Sequence, residues 1–111
     1  GTQTFGPVIG SVSTQSGTTY TLAANDCGTT IVFSSNSPVT LTTFNSLPIG
    51  CAIAVEQGGD GQVTVAPGAG TSQHSPHSFT KTYGRYAILG LFIDANEGGT
   101  AADIIITGDG A

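Results

Sequence analysis

Short runs of β-branched and other apolar residues recur along the chain, and turn-forming residues interrupt them about every ten residues. Gly, Pro, Asn and Asp supply the interruptions, because they tolerate a positive φ or preset a turn. No window long enough for a helix keeps an apolar stripe free of Gly, Pro or a β-branched run. The pattern predicts an all-β fold of six to eight strands with little helix. The runs are Thr30–Phe33, Val39–Thr42, Ala52–Val55, Val63–Val65, Ala87–Ile93 and Ile104–Thr107.

Alternation along these runs indicates how the strands pack. In Val39–Thr42 the Val and Leu side chains share one face and the two Thr the other, which is typical of a half-buried antiparallel strand. Ala87–Ile93 and Ile104–Ile106 are almost continuously apolar, so we expect both of their faces to be covered. A chain of 111 residues has a thin core, and an oligomer interface would supply the second cover. The prediction is a small antiparallel β-sandwich, jelly-roll-like, assembled as a homotrimer.

The first nineteen residues differ from the rest, because residues 1–19 carry no charge and few large apolar groups. We interpret residues 1–19 as an extended arm or linker and residues 20–111 as a single β-sandwich domain. The absence of an initiating methionine suggests a fragment or a processed form. No apolar run approaches the roughly 20 residues needed to span a bilayer, so membrane insertion is not expected.

The charge balance excludes one class of partner. Two Lys and Arg residues stand against seven Asp and Glu residues, for a net charge of −5. Two cations cannot neutralise a phosphate track, so nucleic-acid binding is excluded.

The two cysteines, Cys27 and Cys51, lie at predicted turns and allow either a bridge or two free thiols. Free thiols are the favoured interpretation, because a cytosolic protein stays reduced and a small buried Cys behaves as a core residue.

No group of residues predicts catalysis. Glu56 with Asp60 and Asp94 with Glu97 are the carboxylate pairs, but nothing in the sequence would raise the pKa of either pair, as acid catalysis requires. The segment from Asp94 resembles the start of a calcium loop, yet its twelfth position is Ile105 rather than Glu. No Ser lies in a nucleophile elbow, and no Gly-rich loop precedes a helix. We therefore expect no enzyme activity and no cofactor.

Two loops carry candidate binding residues. His74 and His77 lie three residues apart, and a threefold axis could complete a metal site from these weak candidates. The alternative is a polar loop with two exposed histidines. Tyr83, Arg85 and Tyr86 place two phenols around the single arginine, which suits stacking on a sugar or anchoring a protein. The alternative is that these residues tie down the entry to a buried strand.

Tyr20 and Phe79, like Tyr83 and Tyr86, lie near polar loops. We assign Phe33, Phe44 and Phe92 to the core.

An ordered series of short segments runs through the chain: Tyr20–Leu22, Asp26-x-Gly28, Ile31–Phe33, Pro38–Thr42, Leu47–Gly50, Gln57–Val65, Thr80–Thr82, Tyr86-Ala87 and Thr107–Asp109. In this order they resemble the small β-domain at the C-terminal end of tailed-bacteriophage tail and head fibre proteins. The resemblance covers about residues 19–109. Members of that group often carry Trp just before the closing Thr-Gly-Asp, where this chain has Ile104–Ile106.

The resemblance implies a non-enzymatic virion protein, assembled in the host cytoplasm, that forms a homotrimer and presents loops to the host surface. Its partners would be other copies of itself, other virion proteins, and a host glycan or surface protein. The alternative is a capsid cement or decoration protein, or a fibre trimerisation cap, that binds other virion proteins. A carbohydrate-binding module ranks last, because the chain has no Trp. The candidate receptor-binding residues are His74, His77, Tyr83, Arg85, Asp94, Asn96 and Glu97.

Overall fold

The computed structural model describes residues 11–111. Within them, nine strands and two single-turn 3₁₀ helices form an all-β domain, as the spacing of the apolar runs predicts. The strands are β1 (Ser11–Gln15), β2 (Thr19–Thr21), β3 (Thr29–Phe33), β4 (Val39–Thr42), β5 (Ala52–Gln57), β6 (Val63–Ala66), β7 (Ser72–His74), β8 (Ile88–Asn96) and β9 (Ala102–Gly108). The 3₁₀ helices are η1 (Ala24–Asp26) and η2 (Glu97–Gly99).

The first six strands alternate between two sheets. β1, β3 and β5 are neighbours in the larger sheet, β2, β4 and β6 form the smaller one, and all these neighbours run parallel. Parallel strands need a crossover of roughly a dozen residues or more. Here the strand in the opposite sheet provides that crossover, so the chain winds in stacked coils.

The C-terminal third closes the larger sheet. β8 pairs antiparallel with β5 and with β9, and β7 pairs parallel with β9 at the far edge, giving the order β1-β3-β5-β8-β9-β7. Residues 80–82 run beside β6 through a bridge between Thr64 and Lys81. A second bridge, between Thr82 and Gly110, fixes the end of the chain against the same segment.

The prediction of antiparallel pairing is wrong for five of the seven strand pairs that residues 11–111 form in the two sheets. Val39–Thr42 has the expected alternation, with Val39 and Leu41 buried and Thr40 exposed, but its neighbours on both sides are parallel. The alternation arises because each sheet is covered by the other on one face. One-sided burial, and not strand direction, is what the pattern encodes.

One hydrophobic core lies between the two sheets. Its members are the inward-facing residues of β3, β4, β5, β6, β8 and β9, together with Leu22, Leu47 and Phe79. Phe33 is fully buried and Phe44 packs against the core, as expected. Phe92 was assigned to the core, and that assignment is wrong, because its side chain is 46% exposed.

Strand β8 explains the error. Leu89, Leu91 and Ile93 point into the core, whereas Ile88 and Phe92 point to the outer side of the larger sheet. One face of the apolar run is therefore covered within the chain and the other is not. Cover by a second subunit stays a prediction.

The structure describes only part of the segment predicted as an arm, residues 1–19. Residues 1–10 lie outside the described part of the chain. Ser11–Gln15 forms β1, which pairs with β3 at the edge of the larger sheet, and Thr19 begins β2.

A disulfide joins Cys27 and Cys51, so the favoured interpretation of two free thiols is wrong. Gly28 donates a backbone hydrogen bond to Ala52 (2.8 Å), which brings the residues after each cysteine together. The disulfide links the turn before β3 to the turn before β5, and so joins two successive coils of the chain.

Candidate functional site

An exposed aromatic loop connects residues 80–82 to β8. Tyr83 is 77% exposed and Tyr86 is 67% exposed, the two most exposed aromatic side chains in the described part of the chain. Leaving two large rings in water forgoes the favourable free energy of burying them. We call Tyr83–Tyr86 the aromatic loop.

Backbone hydrogen bonds hold both ends of the aromatic loop. Tyr83 N–H donates to the Asp109 carbonyl (2.9 Å), and Tyr86 N–H donates to the Gln57 carbonyl (2.7 Å). Ala87 N–H donates to the Gly84 carbonyl (3.0 Å), which closes the turn. Tyr86 has φ of 72°, a left-handed conformation that costs a non-glycine residue about 1–3 kcal/mol. The anchored turn therefore holds the Tyr86 ring outward in a strained conformation.

Two buried polar side chains, those of Gln57 and Thr82, stabilise this turn. The Thr82 hydroxyl donates to Gln57 Oε1 and accepts from Val63 N–H (3.0 Å), and both polar side chains are almost inaccessible to water. Gln57 Nε2 donates to the Gly59 carbonyl (3.1 Å). The backbone carbonyl of Gln57 thus holds the loop, and the side-chain amide of Gln57 is held in turn by its own hydrogen bonds.

Arg85 lies across one of the two rings. Its guanidinium carbon is 5.1 Å from the centre of the Tyr86 ring, which is cation–π geometry. Its ion pair with Asp60 is long, at 3.8 Å, and both side chains are more than half exposed. Such a pair contributes little to stability. The guanidinium is therefore positioned mainly by the ring and keeps N–H groups free to donate.

Beside the loop lies a groove with a volume of about 450 Å³. His77 and Phe79 line one side, with their rings stacked at 6.4 Å, and residues 108–110 line another. Gly110 is required here, because a Cβ at this position would overlap the Phe79 ring. The structure thus brings His77, Tyr83 and Arg85 together around one groove.

His74 and Asp94 lie elsewhere, beside a carboxylate that sequence reasoning missed. His74 Nε2 is 2.7 Å from Asp103 Oδ1, across the β7–β9 pair. Asp94 lies in the irregularity of the β8–β9 pairing, and hydrogen bonding with the neighbouring Asp103 carboxyl raises the pKa of Asp94. The position of Asp103 in the sequence does not predict this grouping. Asp103 lies between His74 and Asp94 only because β9 pairs with β7 on one side and with β8 on the other.

Asn96 and Glu97 are not brought into either group. Asn96 Nδ2 donates to the Asn45 and Leu47 carbonyls (3.1 and 2.8 Å), and its Oδ1 accepts from Ala101 N–H (2.8 Å). Asn96 therefore has a structural task. Glu97 is exposed in η2 and makes no side-chain hydrogen bond or ion pair within residues 11–111.

Two further aromatic residues near polar loops have structural partners. Tyr20 OH donates to both carboxylate oxygens of Asp26 (2.9 and 3.1 Å), and Ala23 N–H donates to the same group (2.9 Å). Burial and the hydrogen bond to Asp26 raise the pKa of the Tyr20 phenol. Phe79 belongs to the core.

Across residues 11–111, no group of three or more His, Cys, Asp or Glu side chains is placed to hold a metal ion. A metal on a symmetry axis through His74 and His77 stays a prediction. The same part of the chain contains no helix long and apolar enough to cross a bilayer.

Comparison with known protein families and with curated proteins found no match to this chain. The resemblance to bacteriophage fibre domains therefore stays a prediction.

Proposed function

We propose that the chain is a non-enzymatic attachment module of a bacteriophage particle, which contacts the host surface with the aromatic loop. The observation that carries the proposal is the exposure of Tyr83 and Tyr86 on a turn that is strained and anchored. Strained, well-supported backbone is concentrated at functional sites. Exposed aromatic residues beside an arginine are the side chains that most often dominate binding interfaces.

We also propose that the module works as a homotrimer through the outer face of the larger sheet. Three of the large exposed apolar side chains lie on this face: Val12 in β1, and Ile88 and Phe92 in β8. A shallow depression of about 380 Å³ next to Phe92 is lined by small residues, including Ala54 and Gly90. We propose that a Phe92 ring from another copy occupies this depression.

The charges on the outer face lie at its margins. Glu56 lies beside Ile88 at one end, and His74 with Asp103 lies at the other. An apolar centre with a polar rim is the usual anatomy of a protein interface.

The disulfide is compatible with this location under one condition. Disulfides persist in oxidising surroundings and are rare in the reducing cytoplasm. A particle assembled in the host cytoplasm would form the Cys27–Cys51 bond after release.

The experiment is retention of the purified, fluorescently labelled chain on a panel of bacterial strains. Tyr83→Ala and Arg85→Ala should each reduce retention on the strains that bind. Ile49→Ala is the matched control, because it removes an exposed apolar side chain in the turn before β5, away from the loop. Unchanged retention with both loop variants would refute the proposal.

A second candidate is a decoration protein or trimerisation cap, and the apolar outer face is the observation that favours it. Such a protein would enter virions through its contacts with other virion proteins. In that case Tyr83→Ala would leave incorporation into particles intact, and Phe92→Ser would abolish it.

A further inference from the structure

We infer that the groove beside the aromatic loop binds a pyranose ring of a neutral cell-surface polysaccharide, an inference that rests on the proposed attachment function. The groove, at about 450 Å³, falls in the size range of small-ligand sites. Four rings border it, those of His77, Phe79, Tyr83 and Tyr86.

The ring faces provide the first part of the recognition. A pyranose has a face of C–H groups, which are weakly positive, and the face of an aromatic ring is negative. Tyr83 presents its ring to solvent at 77% exposure, so a sugar can stack on it without displacing protein atoms, whereas Arg85 covers one face of the Tyr86 ring. The hydroxyls of both tyrosines add a donor and an acceptor at the ring edge.

Arg85 provides the second part. Its guanidinium lies over the Tyr86 ring, 5.1 Å from the ring centre, and within the described residues it donates no short hydrogen bond. Tyr83 and Arg85 line the same groove, so a sugar stacked on the Tyr83 ring would turn its hydroxyl groups toward the guanidinium N–H groups. The guanidinium carries several N–H donors in a fixed fork, which can donate to the oxygens of two adjacent hydroxyl groups.

The surrounding charge selects a neutral sugar. Asp109 lines the groove and Asp60 lies 3.8 Å from Arg85, so two carboxylates accompany one cation. The whole chain carries a net charge of −5. An acidic sugar would meet a field that repels it at long range.

The anchoring of the loop lowers the cost of binding. Hydrogen bonds from Tyr83, Tyr86 and Ala87 already fix the turn, with donor–acceptor distances of 2.7–3.0 Å. Ordering a loop at an interface opposes association, and a preformed loop avoids that loss. The same hydrogen bonds hold Tyr86 at its φ of 72°, so the direction of its ring is set before a ligand binds.

The test uses the strains that retain the chain. Periodate, which cleaves vicinal diols of sugars, should abolish retention, whereas protease treatment of the cells should leave it unchanged. Neutral polysaccharide purified from those cells should give saturation-transfer NMR signals with the intact chain. Tyr83→Ala and Arg85→Ala should weaken its binding by about tenfold or more, and Ile49→Ala should not change it.

The outcomes separate this inference from the proposed function. Loss of retention after protease but not periodate would overturn the saccharide and leave an attachment module that binds a protein. Signals from acidic polysaccharide alone would overturn the neutral ligand. Retention on no strain, together with no saturation transfer to neutral polysaccharides, would overturn both the inference and the attachment function.

Discussion

Replacing Thr82 with Val tests the buried support of the aromatic loop. Valine has nearly the same shape as threonine but no hydroxyl, so Thr82→Val removes two hydrogen bonds without opening a cavity. Gln57 Oε1 loses its donor and Val63 N–H loses its acceptor, and both groups lie in the core. An unsatisfied buried polar group costs about 1–3 kcal/mol, so the loss is about 2–6 kcal/mol.

The assay is thermal unfolding followed by circular dichroism, with urea unfolding as a second measure. A loss of at least about 2 kcal/mol should lower Tm by about 8 °C or more in a domain of this size. Thr40→Val on the exposed face of β4 is the matched control and should change stability by less than about 0.5 kcal/mol. Equal Tm values for the two variants would refute the assignment of Thr82 as a buried hydrogen-bonding residue.

Three further predictions concern the disulfide, the carboxylates and the outer face. Reducing the Cys27–Cys51 bond, or replacing both cysteines with Ala, should lower the free energy of unfolding by about 3.5 kcal/mol, because the bond closes a loop of 24 residues' separation; equal urea midpoints with and without reductant would contradict this. The pKa of Asp94 is raised in the folded chain, so the folded chain binds the carboxyl proton more tightly than the unfolded chain does. The protonated Asp94 therefore contributes fully to stability below the ordinary Asp pKa, and that contribution is lost as the pH rises through the pKa of the folded state. Asp94→Asn should therefore raise Tm at pH 7 but not at pH 3, and an equal gain at both would reject the explanation. The proposed homotrimer should have a mass near three times 11.0 kDa by light scattering, and Phe92→Ser should reduce it to 11.0 kDa; a monomeric unmutated chain, or a variant that stays trimeric, would exclude this face as the interface.

The strand content could be predicted from the sequence, whereas strand direction could not. Val39–Thr42 alternates because the opposite sheet covers one of its faces, and that is equally true of parallel and antiparallel strands. The coiled path of the chain follows from the parallel pairing of strands such as β3 and β5, in which Thr30 lies beside Ala54, and tertiary packing sets that pairing. Local propensity carries no information about a neighbour 24 residues away.

The candidate site could be predicted only where its residues are close in sequence. Tyr83 and Arg85 are close in sequence, so their grouping could be predicted, and the structure adds His77 from another loop. Gln57 and Thr82 carry no local signal, because a Gln at a strand end and a Thr before a turn are ordinary residues. Their pairing across 25 residues depends on the fold.

The groove is tested most directly by mapping amide chemical shifts of the ¹⁵N-labelled chain during titration with neutral polysaccharide fragments from a strain that retains it. Binding in the groove should shift the amides of residues 83–87 and 108–110 and leave the amides of the outer face, such as Gly90 and Phe92, unchanged. Shifts confined to the outer face, or none at saturating polysaccharide, would contradict it.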